Sequence, residues 1–394
     1  MKQQTKIPED WEEVEFEDLC EKIQSGGTPL TSKKEYYNGE IPFVKIDDIT
    51  LAGKYLEKTN ISISKEGLEN SSAWLVPENS LLLAIYGSFG KITINKIKLA
   101  TNQAILGIIL KKEKADLDFI YYLINHTNLK KYAKQSTQAN LTAEIIRELK
   151  LLIPTSLLEQ RAISLILSTC DEVIQKVERE IEITERLKKG AMRKLLNESN
   201  SKLVKVSDLG KYINGFGFGP ADWSKEGLPI IRIQNLTDLN EVFNFFNGPV
   251  DSRYIVNDGD LLFPWSGSIG VYLWNRGKAL LNQHIFRVIP EKGVDKMYLY
   301  YILNLAIAKL SGRIHGSTMK HFKRGELEKV SVPLPTLSEQ QKIASILSTI
   351  DAKLSLQKSR KEKLERIKKG LMNELLTGRK RVNVEKVLSL GGEK

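Results

Sequence analysis

The stretch Glu185-Arg186-Leu187-Lys188-Lys189-Gly190 (ERLKKG) returns as Glu365-Arg366-Ile367-Lys368-Lys369-Gly370 (ERIKKG), 180 residues later. Both copies lie in a helical pattern, where a glycine costs about 1 kcal/mol relative to alanine. A charged hexapeptide that keeps the same unfavourable glycine twice points to a duplicated chain. Aligned without a gap, Glu159–Asn197 and Glu339–Thr377 agree at 17 of 39 positions. The likeness extends upstream: GSFG (87–90) matches GSIG (267–270), and Asn102-Gln103 matches Asn282-Gln283. The repeat unit is therefore a mixed globular part followed by a long helix. The helices agree closely, while the globular parts keep scattered identities.

Each helix opens after a proline with a capping-box pattern, Ser156-x-x-Glu159 and Thr336-x-x-Glu339. Ile163, Ile166, Cys170, Val173 and Val177 step by three and four, and Leu187, Ala191 and Leu195 resume the stripe. Ile343, Ile346, Ile350 and Leu354, then Leu364, Ile367, Leu371 and Leu375, repeat it, around a more polar centre at Ser355–Lys363. A 39-residue helix is about 58 Å long, so its natural mate is the other copy, in antiparallel pairing. Gly378 before Arg379-Lys380-Arg381 is a helix stop with dipole-matched charge. If Leu187 and Ala191 lie on the seam, Gly190 and Gly370 sit beside it. There they either admit a second helix or kink the rod. The globular parts read as α+β, with short β-type runs, turn signals and one helix each near 116–128 and 295–310. The expected division is 1–154, helix 155–197, 198–335, helix 336–378, and a basic tail 379–394.

The 394 residues exceed one ordinary core. No apolar run is long enough to span a bilayer, and the N-terminal stretch lacks the apolar core of a secretory signal, so a cytoplasmic location is expected. Cys20 and Cys170, far apart and without a CxxC, fit two buried thiols. The net charge of +11 suits an anionic partner, although any polyanion would respond to it.

Catalytic signatures are missing. Gly90-Lys91, Gly210-Lys211 and Gly277-Lys278 lack the phosphate-loop spacing. There is no glycine-rich dinucleotide turn and no aromatic Asn-Pro-Pro tetrapeptide, and Glu148-Leu149-Lys150 has no Pro-Asp upstream. His315 and His321 are too widely spaced for one helical face, and no acid or cysteine cluster accompanies them for a metal. Neither a catalytic residue nor a cofactor is expected. The richer constellation precedes each helix: Lys130, Lys131, Lys134, Gln135, Thr137, Gln138 and Asn140, and then Arg313, His315, Ser317, Thr318, Lys320, His321, Lys323 and Arg324. Lysines, hydroxyls and amides together suit phosphate contact with base-edge readout, against the alternative of a solvated polar loop. Lys33, Lys34 and Tyr36, and Arg232, Gln234 and Asn235, are weaker candidates. Ser88 with Lys91, and Ser268, mark tight turns that could approach a phosphate. Trp265 and Trp274 read as core more readily than as base-stacking rings.

Two variable globular halves, each closed by a near-identical helix, resemble the specificity subunit of type I restriction–modification systems. The resemblance rests on LLIPTSLLEQRAISLILSTCDEVI…ERLKKGAMRKLL and VPLPTLSEQQKIASILSTIDAKL…ERIKKGLMNELLTG. The segments STQANL, GSTMKHF, PENSLLLAIYGSFG and VNDGDLLFPWSGSIG look like landmarks of that family's recognition domains. It implies two target recognition domains that read the halves of a bipartite DNA site, with a helix pair setting the gap. It also implies two modification subunits that methylate adenine with S-adenosylmethionine, and restriction subunits that use ATP and Mg2+. Arg186, Lys189, Gly190, Arg366, Lys369 and Gly370 would then be docking positions shared by the two repeats. A stand-alone two-headed DNA-binding protein, and an enzyme with an unrecognised site, are the rival readings.

Overall fold

The computed structural model describes residues 8–88, 90–133, 141–197, 201–238, 240–311 and 324–391. The chain divides into two compact units, Met1–Val177 with Arg360–Lys394, and Glu178–Ser359. Each is α+β, and the two follow one plan.

In unit 1 a five-stranded sheet runs in the order Cys20–Ser25, Ile105–Leu110, Leu81–Ala84, Ile92–Asn95, Tyr55–Leu56. A four-stranded sheet follows the order Ile61–Ile63, Tyr37–Val44, Leu99–Thr101, Leu75–Val76, and Trp11–Glu15 pairs with Lys150–Pro154. Unit 2 repeats the set. Gly210–Asn214, Ile285–Pro290, Leu261–Pro264 and Tyr272–Leu273 form one sheet, and Asn244–Phe246, Leu228–Ile231, Ala279–Leu281 and Ile255–Val256 a second. Leu203–Lys205 pairs with Ser331–Pro333. Both four-stranded sheets built around Tyr37–Val44 and Leu228–Ile231 hold one parallel pair, Phe43 with Ala100 and Ile230 with Leu280.

The apolar runs are continuous because their strands are covered on both faces. Successive side chains of a strand point to opposite faces, so Leu81 and Leu83 enter one core and Leu82 and Ala84 another. Leu261 and Phe263 part from Leu262 in the same way. One core of each unit packs the expected helix, Leu117–His126 or Lys296–Ser311. Asp116 caps the first, accepting from Phe119 N at 2.9 Å, and Asp295 the second, accepting from Tyr298 N at 2.9 Å.

The repeated Glu-Gln pair has a structural reason. Gln160 is buried in the first turn of the helix Leu157–Asn197; it accepts from Asp116 N (2.8 Å) and donates to Lys114 O (3.2 Å) and Pro154 O (3.0 Å). Gln340, in the helix Leu337–Leu375, accepts from Asp295 N (2.8 Å) and donates to Gly293 O (3.1 Å) and Pro335 O (2.9 Å). One carboxamide thus fastens each long helix to its own globular part. A buried amide satisfied on both its donor and acceptor sides is costly to replace.

The inward line of each long helix is a heptad ladder. In the first helix it runs Gln160, Ile163, Leu167, Cys170, Ile174, Val177, Ile181, Thr184, Lys188, Ala191, Leu195, and all these residues are buried or half-buried. In the second it recurs from Gln340 to Leu375 at the same spacing. Alternating steps of three and four keep one seam facing a partner helix. The expected stripe requires correction at three places: Leu187 is 56% exposed, Ile367 54% and Ile346 48%. Each lies one position before a rung of the ladder (Lys188, Leu347 and Lys368): Leu187 because the stripe takes two steps of four in succession, Ile346 and Ile367 because it takes three then four where the ladder takes four then three.

Within each unit the helix segments run antiparallel. In unit 1 Asp171 pairs with Lys368 at 2.5 Å, and Glu159 with Arg381 at 2.8 Å. In unit 2 Asp351 pairs with Lys188 at 2.6 Å, and Glu185 with Lys358 at 2.8 Å. The first and third pairs are the same pair, written twice. Tyr122 and Tyr301 donate to the same carboxylates, Asp171 (2.7 Å) and Asp351 (2.9 Å).

Only one capping box forms as expected. Thr336 N donates to Glu339 at 2.9 Å, and Glu339 N to the Thr336 hydroxyl at 3.4 Å. Glu159 instead gives both carboxylate oxygens to Arg381, which also holds Asp10. A bidentate charged partner outcompetes one backbone N–H. Arg381 therefore serves the N-terminal strand and the first helix rather than the dipole of its own. Gly378 does adopt left-handed backbone (φ 69°) beyond the helix end at Leu375. Cys20 is buried, its thiol pushed up to about 12 by burial, whereas Cys170 is only half-buried; both are free. Among the described residues no helix is long and apolar enough to cross a membrane.

Candidate nucleic-acid interface and docking faces

In each unit three chain segments meet at one end of the sheet that begins with Cys20–Ser25 or Gly210–Asn214. The first is the glycine-serine turn, where Gly87 (φ 66°) and Gly267 (φ 63°) hold left-handed backbone. The second is the turn Asn102–Ile105, closed by Ile105 N donating to Asn102 O at 3.2 Å, with Asn282–Ile285 closed likewise at 3.0 Å. The two turns are joined, Ile85 N to Ala104 O at 2.9 Å and Trp265 N to His284 O at 3.2 Å. The third segment follows the first strand of the sheet. Gly26 N donates to Ile105 O and Gly215 N to Ile285 O, both at 3.2 Å. A Cβ on Gly26 would fall 1.9 Å from Thr101 O, and one on Gly215 2.2 Å from Asn282 O, so only glycine allows this approach.

Several predicted residues lie at or near this convergence. Ser88 is half-buried, its hydroxyl 2.5 Å from that of Thr50, while Lys91 and Ser268 are exposed. In unit 2 Gln234 is exposed on the short helix Ile233–Thr237, whose Ile233 side chain lies 3.8 Å from a Cβ built on Gly267. Asn235 is buried: it accepts from Arg232 N at 3.0 Å and donates to Glu241 O and Val242 O, so it shapes the loop. Arg232 is half-buried over Trp223 and bonds Glu241 and Val242 O. Elsewhere, Lys33 donates to the hydroxyl of Tyr36 at 3.0 Å, which raises its pKa, and the Tyr36 ring is core; Lys34 is exposed. Trp274 is core, whereas Trp265 is half-buried and lies 5.3 Å from the His284 ring.

Lys130 and Lys131 are exposed on the short helix Lys130–Ala133. Lys134, Gln135, Thr137, Gln138, Asn140, Arg313, His315, Ser317, Thr318, Lys320, His321 and Lys323 lie outside the described residues. Two side chains left out of the sequence-based site, Gln103 and Gln283, stand exposed at the convergence. Their signal was the Asn-Gln recurrence at the repeat offset. Among the described residues no group of three or more His, Cys, Asp or Glu could hold a metal.

The hexapeptides are presented identically. Arg186, Leu187, Lys189 and Gly190 are exposed, as are Arg366, Ile367, Lys369 and Gly370, while Lys188 and Lys368 turn inward to their aspartates. Among the described residues, nothing outside the adjacent helix backbone lies within 4 Å of a Cβ built on Gly190 or Gly370. The glycines thus stand on the outer face, rather than close beside the seam as spacing had placed them. Beside each hexapeptide is an open cleft. In unit 2, about 570 Å³ lies among Glu185, Lys188, Lys189 and Met192 and the helix Lys296–Ser311. In unit 1, about 540 Å³ lies among Glu365, Lys368, Lys369 and Met372 with Asn125 and His126.

Comparison with known proteins agrees with the duplication. A family model described as the type I restriction modification DNA specificity domain matches the chain twice, over residues 8–185 and 198–366. The type I restriction enzyme MjaVIII specificity subunit of Methanocaldococcus jannaschii is 26% identical over 415 residues, covering 96% of this chain and 94% of that protein. The EcoBI specificity subunit of Escherichia coli is 27% identical over 183 residues, covering 45% of this chain and 38% of its own. Among solved structures, the S subunit of a type I restriction-modification system from M. genitalium superposes with a TM-score of 0.59 at 16% identity, covering 95% of this chain and 98% of that one.

Proposed function

The chain belongs to the type I restriction–modification DNA specificity family, and from that premise we propose that each unit reads one half of a bipartite DNA site while the two hexapeptide faces dock modification subunits. It is the DNA specificity subunit of such a system, with two target recognition domains. It is the non-catalytic member and carries no cofactor; methylation and cleavage lie in other subunits with which it assembles. That membership sets aside the stand-alone reading.

The observation that carries the bipartite reading is one plan of three sheets and one helix, built twice in one chain. Recognition falls to residues 1–154 and 198–335. The helices 155–197 and 336–378 set the spacing and meet the partners, with 379–394 as a basic tail. A net charge of +11 favours the phosphate backbone and makes affinity fall with salt. Lys33, Lys34, Lys91, Lys130 and Lys131 supply backbone contacts, and the residues predicted in 134–138 and 313–323 add to them. Docking of two modification subunits is supported by the matched exposure of Arg186, Lys189 and Gly190 with Arg366, Lys369 and Gly370, and by the paired clefts. Restriction subunits complete the assembly.

The test is a map of DNA methylation in cells that carry the modification subunit, with and without this chain. A bipartite adenine motif should appear only when the chain is present; a motif that persists without it overturns the reading. Glu at Arg186, Lys189, Arg366 and Lys369 should abolish co-purification of modification subunits from a folded chain. Retained co-purification removes the docking role.

A further inference from the structure

We infer that Gln103 and Gln283 each read one purine, at the equivalent position of the two half-sites. The inference rests on the half-site reading above and names the side chains that carry part of it.

The Asn-Gln dipeptide splits its work. Asn102 and Asn282 build the turn: their Oδ1 atoms accept from Ala104 N at 3.2 Å and His284 N at 3.3 Å, and both residues are half-buried. Gln103 and Gln283 stand exposed at the corner of the same turns, with His284 exposed next to Gln283. The segment following the sheet's first strand seats each of them. Gln103 Oε1 accepts from the Thr28 hydroxyl at 2.5 Å, and a Cβ on Gly217 would come within 2.9 Å of Gln283 Oε1. A carboxamide oxygen has two lone pairs, so Thr28 orients Gln103 without using its oxygen up; Gln283 has its Nε2 3.4 Å from His284 Nε2, and its second N–H is left for a base.

A structural role alone does not account for the recurrence. The globular parts have kept few identities, and one solvent-exposed side-chain hydrogen bond contributes about 1 kcal/mol. A shared reader does account for it. A carboxamide presents a donor and an acceptor side by side, the pair that matches adenine N7 and N6 in the major groove. The glycines Gly26 and Gly215 let the neighbouring segment close tightly on Thr101 and Asn282, next to the exposed glutamines.

The surroundings of the two glutamines differ. Ala104 is buried, whereas His284 is exposed next to the Trp265 ring. Trp265 Nε1 donates to Asn214 Oδ1 at 3.3 Å and Gln283 O at 3.2 Å, which stiffens the second turn. One base is thus read alike in both half-sites, and its neighbour is contacted in the second half-site by His284.

The test uses the full-length chain in complex with its modification subunits and maps methylated sites for wild type, Gln103→Ala, Gln283→Ala and Gln283→Glu. Each alanine variant should relax one base position, in one half-site only, lowering discrimination there by roughly tenfold or more. The two relaxed positions should carry the same purine in the wild-type motif. Gln283→Glu, which replaces the donor with an acceptor, should turn the preference at that position toward cytosine. A bipartite wild-type motif that all three variants leave unchanged overturns the inference. So does relaxation in both half-sites from one substitution. A wild-type complex with no bipartite motif overturns the half-site reading itself.

Discussion

The starts of the two long helices carry one signature and use it differently. At Thr336 the hydroxyl, the backbone N–H and Glu339 close on one another within four residues. At Ser156 the same spacing is present, but Glu159 is buried and faces Arg381, which is 222 residues away in sequence and also holds Asp10. The same letters therefore make a local cap in one unit and a long-range clamp in the other. The clamp ties the N-terminal strand, the first helix and the tail of the second together. Unit 1 needs that fastening because it is assembled from two separate stretches of chain, whereas unit 2 is one continuous stretch.

The sharpest way to break this contrast is Arg381→Ala. It leaves the Glu159 carboxylate, 4% exposed, without its cation. A loss of about 2–3 kcal/mol is expected in urea unfolding of unit 1, held below the cost of a fully buried pair because Arg381 is itself 46% exposed. Thr336→Ala should cost about 1 kcal/mol as an ordinary cap loss, while Ser156→Ala should be close to neutral. Equal effects at Ser156 and Thr336 would erase the distinction. A third contrast lies on the ladder, where Val177 of the first helix is matched by Gln357 of the second. Gln357 is buried with its Oε1 unpartnered, so Gln357→Leu should stabilise by about 1 kcal/mol in the same assay.

Acid separates the two ends with a smaller effect. The Arg381 guanidinium holds Asp10 below its ordinary 3.8, and the Thr336 hydroxyl and N–H hold Glu339 below 4.5. Both native values are depressed, so each contribution is complete above the ordinary value and fades as the pH falls through the native one. Unfolding midpoints followed downward from pH 4.5 should fall; Arg381→Ala should remove the Asp10 part, and Thr336→Ala the hydroxyl's share of the Glu339 part, since alanine keeps the backbone N–H.

The repeat, the α+β class, the helix beside each sheet and the pairing of the long helices were legible because each is written in short-range spacing. The doubled Gln of Glu-Gln was visible as a match, although its role as a fastener depends on three partners brought in from other segments. The inward line of the helices was only partly legible. Ile163 and Val177 lie on it and Leu187 does not, because a stripe drawn with successive steps of four departs from the 3.5-residue ladder within two turns. The site was less legible still. Arg232, Asn235 and Tyr36 have side chains suited to nucleic acid, yet folding turns Asn235 and Tyr36 inward and half-buries Arg232. Gln103 and Gln283 looked like incidental identities until the turns around them were seen to converge.

Sequence by itself determined that this protein is two copies of one plan, since periodicity, caps and repeated motifs act over a few residues and survive duplication as readable text. Tertiary structure alone decided which side of ERLKKG faces outward and which lysine turns in to an aspartate. It also decided that Glu159 answers to Arg381 and which glutamine each sheet end presents. Those outcomes depend on groups from tens to more than two hundred residues apart coming together, and no local spacing records such a meeting.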